Sequence, residues 1–143
     1  MFNIENSWER KKKKGYDFWF WCIDMHGTLF ENNYVQGSFG GKMFEECVRP
    51  LQFLSNRQDT KLILWTSSHQ NVIDDALLYL RKKGIFFDFV NENPLIKNDA
   101  LCDFSDKFYF DVLLDDKAGF NPKEHWMRIH EKLVSVFGQT VDS

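Results

Sequence analysis

The sequence predicts an α/β fold built on a central parallel sheet, and two patterns carry that prediction. Short apolar runs alternate along the chain with segments whose apolar residues recur every three or four positions. The runs are typical of buried strands and the recurring spacing of helices, and their alternation favours parallel strands joined by right-handed crossovers. Three runs also stop abruptly at polar residues, which are Asp24, Thr66 and the pair Asp115 and Asp116. In a parallel sheet these strand ends meet at one edge.

The polar and basic N-terminus is either a frayed tail or a short amphipathic helix. We treat residues 1–15 as a basic N-terminal arm and residues 16–143 as a single α/β domain. The four lysines at 11–14 form either a solvated surface or a contact for a phosphate-rich substrate. The first strand follows at residues 17–24, where large apolar side chains are continuous up to the aspartate.

The middle of the chain alternates between turn residues and periodic segments. Residues 30–41 are rich in Asn and Gly, and so long a connection predicts a hairpin-like flap with a functional role. Helical spacing from Lys42 to Asn56 is interrupted by Pro50, which predicts a kink or two short helices. The remaining predicted elements are strands at Lys61–Thr66, Ile85–Val90 and Phe108–Leu114, a helix ending at Gly84 and a closing helix at 123–137.

The composition of the sequence limits the class of protein to which it can belong. The 143 residues are the length of one ordinary domain, and 43% are hydrophobic, enough for a substantial core. A net charge of -3 gives no general bias towards nucleic acid. Cys22, Cys47 and Cys102 cannot all pair and lack C-x-x-C spacing, which favours free thiols in a reducing compartment over a zinc site. No apolar run reaches the roughly 18 residues of a membrane helix. We therefore predict a cytoplasmic protein without a membrane partner.

The polar strand ends predict chemistry on phosphate. Carboxylates gathered at one edge repel each other unless a cation lies between them, and an all-oxygen ligand set favours Mg²⁺. Backbone N–H groups near Gly27, together with Thr66 and Ser67, are candidates for binding a phosphate anion. Asp24 could also act as a nucleophile towards phosphorus and form an aspartyl-phosphate. An alternative is that Asp115 and Asp116 form an ordinary turn at the end of a strand.

These stretches resemble the motifs of the haloacid dehalogenase (HAD) superfamily of phosphohydrolases over about residues 17 to 120. The family's first motif is an apolar strand followed by Asp-x-Asp-x-Thr-Leu or Val, and this sequence reads Ile23-Asp24-Met25-His26-Gly27-Thr28-Leu29. A strand ending in Thr or Ser is matched at Leu62-Ile63-Leu64-Trp65-Thr66, and a strand ending in two acids at Val112-Leu113-Leu114-Asp115-Asp116. The family's lysine, which precedes the acidic pair, is matched by Lys107, with Lys97 as the alternative.

The resemblance implies a Rossmannoid three-layer sandwich with a central parallel sheet and a Mg²⁺-dependent phosphatase activity. Too few residues separate the motifs for a cap domain, so it also implies an open site for a large or polyanionic substrate, such as a nucleotide or a nucleic acid end, or a site closed by oligomerisation. The resemblance implies that Asp24 is the nucleophile and a metal ligand. The further implied metal ligands are the backbone carbonyl of His26 and the side chains of Asp115 and Asp116. Thr66 and Lys107 would bind the phosphoryl group, and Thr28 would brace the first loop.

The sequence departs from the family at His26, which stands where the family has a second aspartate. That aspartate protonates the leaving oxygen and then deprotonates the attacking water. An imidazole titrates near neutral pH and is able to perform both proton transfers. The alternative is a weakened protein that binds a phosphorylated ligand or partner without efficient turnover.

Overall fold

The computed structural model describes residues 4–31, 42–99 and 101–138. Its four strands form one parallel sheet in the order β3-β2-β1-β4, with helices packed against it. The predicted α/β fold with a central parallel sheet is therefore confirmed. The elements are α1 (Ile4–Lys14), β1 (Trp19–Asp24), α2 (Val48–Ser55), β2 (Thr60–Trp65), α3 (Gln70–Lys82), β3 (Phe89–Val90), β4 (Val112–Leu114) and α4 (Pro122–Phe137).

The two faces of the sheet are covered by different kinds of structure. Trp19, Trp21 and Ile23 of the central strand β1 point to one face, where they pack with apolar residues of α2, α3 and α4 in the main core. Phe20 and Cys22 alternate with them and point to the opposite face. A smaller cluster forms there, in which aromatic residues of the irregular segment 91–111 cover the sheet; these include Phe108, Tyr109 and Phe110.

The handedness of the connections explains why helices cover one face of the sheet and an irregular segment covers the other. The chain steps from β1 to β2 and then to β3 in one direction, so right-handed crossovers place α2 and α3 on the same face. The return from β3 to β4 runs in the opposite direction, and the same rule sends it across the other face. That return is the segment 91–111, whose described residues are irregular and not helical. It forms the third layer of the sandwich.

The third and fourth strands are shorter than the predicted Ile85–Val90 and Phe108–Leu114. An aspartate replaces backbone pairing at the start of each. The Asp88 carboxylate accepts a hydrogen bond of 2.8 Å from the backbone N–H of Leu62, and Asp111 does the same for Phe20 at 2.8 Å. Each aspartate also donates its own N–H to that residue's carbonyl. Because side chains take over these bonds, regular pairing begins only after the aspartates.

The described part of the basic N-terminal arm is the helix α1, which packs on the rest of the domain. The Trp8 ring meets the Trp19 ring edge-on, with centroids 5.1 Å apart. The Trp19 indole N–H donates to the Ser7 hydroxyl at 3.1 Å. The Lys11 stem is buried, and its ammonium lies 4.7 Å from the Trp8 ring centroid. The sequence left open a frayed tail or a short amphipathic helix, and the structure has the helix.

The other predicted helices are present. The segment containing Pro50 is a short 3₁₀ turn, Glu45–Cys47, followed directly by α2, in agreement with the predicted break. Pro50 falls in the first turn of α2, where its missing N–H has no partner to lose. The closing helix begins at Pro122 and is capped by Asn121, whose side chain accepts from the N–H of Lys123 at 3.1 Å. None of the described helices is long and apolar enough to cross a bilayer.

Most of the predicted flap at 30–41 cannot be compared with the structure. Residues 32–41 lie outside the described residues. At its start, Phe30 is fully buried, and the N–H of Glu31 donates to the carbonyl of Lys42 at 2.9 Å. The two ends of this connection therefore lie side by side.

Candidate active site

Three carboxylates meet at the carboxyl edge of the sheet. Asp24 is the last residue of β1, and Asp115 and Asp116 directly follow β4. The two strands are paired in register up to the residues before these acids, so the strand ends are neighbours. One oxygen from each carboxylate lies within 4.8 Å of the others. The predicted convergence of these acids is thus what the structure shows.

Thr28 ties the two strand ends together from beneath. Its side chain is fully buried, and its hydroxyl donates to Asp24 Oδ2 at 3.1 Å. The Thr28 hydroxyl oxygen also accepts from the backbone N–H of Asp116 at 3.2 Å. The Thr28 carbonyl in turn accepts from the indole N–H of Trp126 in α4 at 2.9 Å. The structure therefore places Thr28 where a brace for the first loop would be expected.

The acids form a strained electrostatic group. Burial, a hydrogen bond to the Asp116 side chain and the nearby charge of Asp115 raise the pKa of Asp24 to about 7. Oδ1 of Asp116 is buried and has no hydrogen-bond partner among the described residues. A buried acceptor without a donor is costly, and so is a set of like charges without a counter-charge. Both costs are relieved by a cation between the carboxylates.

The donor set fits Mg²⁺. All three side chains offer carboxylate oxygens, which hard cations prefer, and no sulfur or ring nitrogen takes part in the cluster. The unpartnered Oδ1 of Asp116 is the atom whose environment most requires such an ion. Asp24, Asp115 and Asp116 would therefore hold the metal.

A cleft of about 690 Å³ opens beside these acids. His26 lies half-buried in its wall, so the structure brings it together with Asp24 and Asp115. Thr66 and Ser67 line the same cleft, as predicted for phosphate-binding groups. Trp65, Asn91 and Lys117 complete the described lining.

The N–H of Gly27 itself is bonded within its own loop, and a phosphate contact from the backbone N–H groups near Gly27 stays a prediction. That N–H donates to the carbonyl of Phe30 at 2.7 Å, and the N–H of Leu29 turns back to the carbonyl of Met25 at 2.9 Å. The loop needs a tight turn here, and Gly27 supplies it with a φ of 87°. Gly27 therefore shapes the loop and does not contact the ligand through this group.

Thr66 is fixed by a partner that the sequence did not single out. The Asn91 side chain accepts from the N–H of Thr66 at 2.9 Å and donates to its carbonyl at 2.7 Å. Asn91 itself has a left-handed backbone with a φ of 56°, a conformation that Asn tolerates better than most residues. The Thr66 hydroxyl also accepts from the N–H of Ser68 at 3.1 Å. An Asn directly after a strand was the available signal for this role.

The lysines are arranged differently from the motif match. Lys107 and its alternative Lys97 line an adjoining cavity, and neither lines the cleft that contains Asp24. Lys117, directly after the acidic pair, does line that cleft. The sequence motifs gave no role to Lys117. Its position next to Asp115 and Asp116 was the signal that could have identified it.

We expect Mg²⁺ to raise the melting temperature of the protein relative to EDTA, because binding to the folded state alone stabilises it, by about 2.7 kcal/mol at 100 times Kd. The measurement is thermal unfolding across a Mg²⁺ titration. Asp116→Asn is expected to reduce the shift strongly. Asp75→Asn, which changes an exposed acid on α3, serves as the matched control. Equal shifts in wild type and Asp116→Asn would contradict the assignment of this metal centre.

No family model and no curated protein matches this sequence. Among solved structures, the chain is similar to a conserved protein coded by a locus from Bacteroides thetaiotaomicron, with a TM-score of 0.62 and 24% identity. The match covers 87% of this chain and 95% of that chain. The likeness extends over nearly the whole of both molecules and shows that they share the α/β fold.

Proposed function

We propose that the protein is a Mg²⁺-dependent phosphohydrolase of the HAD type that cleaves a phosphomonoester through an aspartyl-phosphate on Asp24. One observation carries the proposal: three carboxylates lie within 4.8 Å of one another at the carboxyl edge of a parallel sheet. That edge is where folds of this class place their ligands. The order and content of the motifs around the acids support the same conclusion.

Two displacements at phosphorus make up the proposed reaction. In the first, a carboxylate oxygen of Asp24 attacks phosphorus, the bond to the ester oxygen breaks, and protonated His26 gives its proton to the departing oxygen. In the second, neutral His26 removes a proton from water, which attacks the aspartyl-phosphate. Inorganic phosphate leaves, and Asp24 and protonated His26 are both regenerated.

The remaining residues of the cleft would hold the phosphoryl group in line with Asp24. Mg²⁺ bound by the three carboxylates would neutralise charge on the phosphoryl oxygens and lower the pKa of Asp24, which favours the nucleophilic carboxylate. Lys117 would add a second positive charge in the cleft. Thr66 and Ser67 would supply hydrogen bonds from the end of β2. Positioning and charge stabilisation are the main requirements of phosphoryl transfer.

The proposed substrate is a phosphorylated molecule that enters an open cleft. A large or polyanionic substrate, or a second copy of the chain, would complete the wall. We also propose a cytoplasmic location, because Cys22, Cys47 and Cys102 are all free thiols and such thiols persist in reducing compartments.

The direct test is phosphate release from nucleoside monophosphates, sugar phosphates and phosphorylated oligonucleotides, each with Mg²⁺ and with EDTA. We expect release that requires Mg²⁺, together with a labelled enzyme that hydroxylamine cleaves, as an acyl phosphate requires. Absence of release and of labelling across the panel would overturn the proposal.

A second candidate is a protein that binds a phosphorylated ligand without efficient turnover. The histidine at position 26, in place of the family's aspartate, is the observation that favours it. Tight binding of a phosphorylated compound without phosphate release would identify this case. A labelled enzyme that persists and passes its phosphate to an acceptor other than water would instead identify a phosphotransferase.

The two candidate lysines are expected to differ in effect. Lys117→Ala should lower kcat/KM by about 100-fold, because it removes a charge that lines the cleft beside Asp115. Lys107→Ala should have a smaller effect, since Lys107 lines the adjoining cavity. The measurement is kcat/KM on one substrate for both variants and wild type. A larger loss for Lys107→Ala would return the phosphoryl-binding role to Lys107.

A further inference from the structure

We propose that the cavity beside the acid cleft binds the base of a nucleoside monophosphate, so that the leaving group of the reaction is a nucleoside. This inference names the substrate class and rests on the proposed function. The cavity lies between the sheet and the irregular layer and has a volume of about 860 Å³. Ligand pockets commonly measure about 300–1,000 Å³.

The cavity and the cleft are neighbours that share a wall. Trp65 and Asn91 line both of them. Trp65 is the last residue of β2 and is the direct cross-strand partner of Asp24. A substrate whose phosphate lies at Asp24 and whose remainder enters the cavity must therefore pass alongside Trp65. The leaving group of a phosphomonoester is the part that would occupy this position.

The lining of the cavity is suited to a flat ring. Trp65 is 42% exposed although it is a large apolar residue at the end of a strand. Its ring meets that of Phe108 at an interplanar angle of 61°, with centroids 5.6 Å apart. Phe104 and Phe110 also line the cavity. An exposed aromatic face beside further aromatic rings is the kind of platform on which nucleic acid bases stack, with a contribution of about 1–3 kcal/mol per base.

The polar groups of the cavity favour a nucleobase over a plain aryl ring. Asn98, Ser105, Glu92 and Asp106 are among its lining residues. A nucleobase carries ring nitrogens and exocyclic groups that need hydrogen-bond partners, and a site that supplies them discriminates against a ring that lacks them. A phenyl ring makes no use of these side chains.

The charges of the cavity favour a monophosphate. Lys97 and Lys107 are opposed by Glu92 and Asp106, so the described lining has two positive and two negative side chains. A substrate with further phosphates beyond the one at Asp24 would find no net positive charge here. A neutral nucleoside fits this balance, with its single phosphate at the acid centre.

The location of the cavity also assigns a role to the irregular layer. Most of its lining comes from residues between 91 and 110. We therefore assign substrate selection to the connection between β3 and β4. The predicted flap at 30–41 is not required for this assignment.

The test compares nucleoside monophosphates with ribose 5-phosphate and with p-nitrophenyl phosphate, a simple aryl phosphate. Affinities are measured by calorimetry in EDTA, which prevents turnover, and kcat/KM values are measured with Mg²⁺. The variants are Trp65→Leu and Phe108→Leu. The matched control is Phe86→Leu, because Phe86 is 49% exposed and lines neither the cavity nor the cleft.

We expect at least one nucleoside monophosphate to bind about 5- to 150-fold more tightly than ribose 5-phosphate, the range that corresponds to stacking of one base. Trp65→Leu and Phe108→Leu should reduce that preference, and Phe86→Leu should leave it unchanged. Equal affinity for ribose 5-phosphate, or a preference that survives both cavity variants, would overturn the assignment. A preference for p-nitrophenyl phosphate over every nucleotide would also overturn it, in favour of an aryl phosphate.

Different results would overturn the base-binding cavity and the proposed hydrolase activity. Nucleotide binding that depends on Trp65, with no phosphate release in Mg²⁺, would support the base-binding cavity and overturn the proposed hydrolase activity. Mg²⁺-dependent release from ribose 5-phosphate at the same efficiency as from nucleotides would support the hydrolase and refute the base pocket.

Discussion

Asp24→Asn is expected to abolish phosphate release and to increase the stability of the metal-free fold at neutral pH. Loss of activity follows because an amide is not a nucleophile towards phosphorus, and loss of a nucleophile lowers kcat by about 10⁴-fold or more. The hydroxylamine-sensitive label should disappear with it. The measurement is phosphate release and labelling in the presence of Mg²⁺, with Asp75→Asn as the control. Activity that survives in Asp24→Asn would exclude Asp24 as the nucleophile.

The gain in stability follows from the raised pKa of Asp24. Its pKa is about 7 in the fold, against an ordinary value near 4, so between these values the folded protein binds a proton that the unfolded chain does not. The free energy of unfolding therefore falls as pH rises from about 4 to 7 and is lowest above 7. Asn carries no charge and removes this penalty, worth about 1–2 kcal/mol after allowance for the partial exposure of the group.

Thermal unfolding in EDTA between pH 5 and pH 8 measures this effect. The wild-type melting temperature should decline more steeply than that of Asp24→Asn, with the variant the more stable of the two at pH 8. Addition of Mg²⁺ should stabilise the wild type and have little effect on the variant. A variant that is less stable than wild type at pH 8 in EDTA would show that Asp24 is not held under electrostatic strain.

His26→Asn is expected to lower kcat by about 10²–10⁴-fold, the usual contribution of a general acid and base. The loss should depend on the substrate. A nucleoside is a poor leaving group and needs a proton, whereas p-nitrophenolate leaves without one, so the first displacement should suffer more with a nucleotide. The measurement is single-turnover kinetics on the two substrates, which separates enzyme phosphorylation from its hydrolysis.

His26→Asp restores the acid found in the family and distinguishes the two proposed functions. We expect it to reduce activity, because a carboxylate at position 26 adds a further negative charge to a cleft that Asp24 and Asp115 already line. Restored activity well above that of wild type would identify the natural protein as catalytically weakened. Equal losses on both substrates in His26→Asn would argue that His26 holds the loop in place and transfers no proton.

The parts of the fold that could be predicted are those where one periodic pattern determines the element. The continuous apolar run of β1, the spacing in α3 and the stripe of α4 have no competing interpretation. The late starts of the third and fourth strands were missed because Asp88 and Asp111 replace backbone pairing with side-chain bonds. That exchange depends on tertiary contacts. The packing of the basic N-terminus on Trp19 depends on them in the same way.

The candidate site was predictable where it lies on strand ends and unpredictable where it lies on loops. Asp24, Asp115 and Asp116 converge because parallel pairing fixes the ends of β1 and β4. The sequence does not reveal that the N–H of Gly27 bonds within its own turn, because that bond depends on the path of the loop. Lys117 and Asn91 were missed because a loop residue gains its partners only from the final path of the chain.

The bonds of Thr28 bear on when the acid centre forms during synthesis of the protein. Thr28 is made early, but it contacts Asp116 and Trp126, which leave the ribosome about 90 and 100 residues later. The acidic pair and then α4, the helix that holds the loop, emerge only near the end of the domain. An incomplete chain is therefore unable to assemble the acid centre, which forms only once nearly the whole domain has been translated.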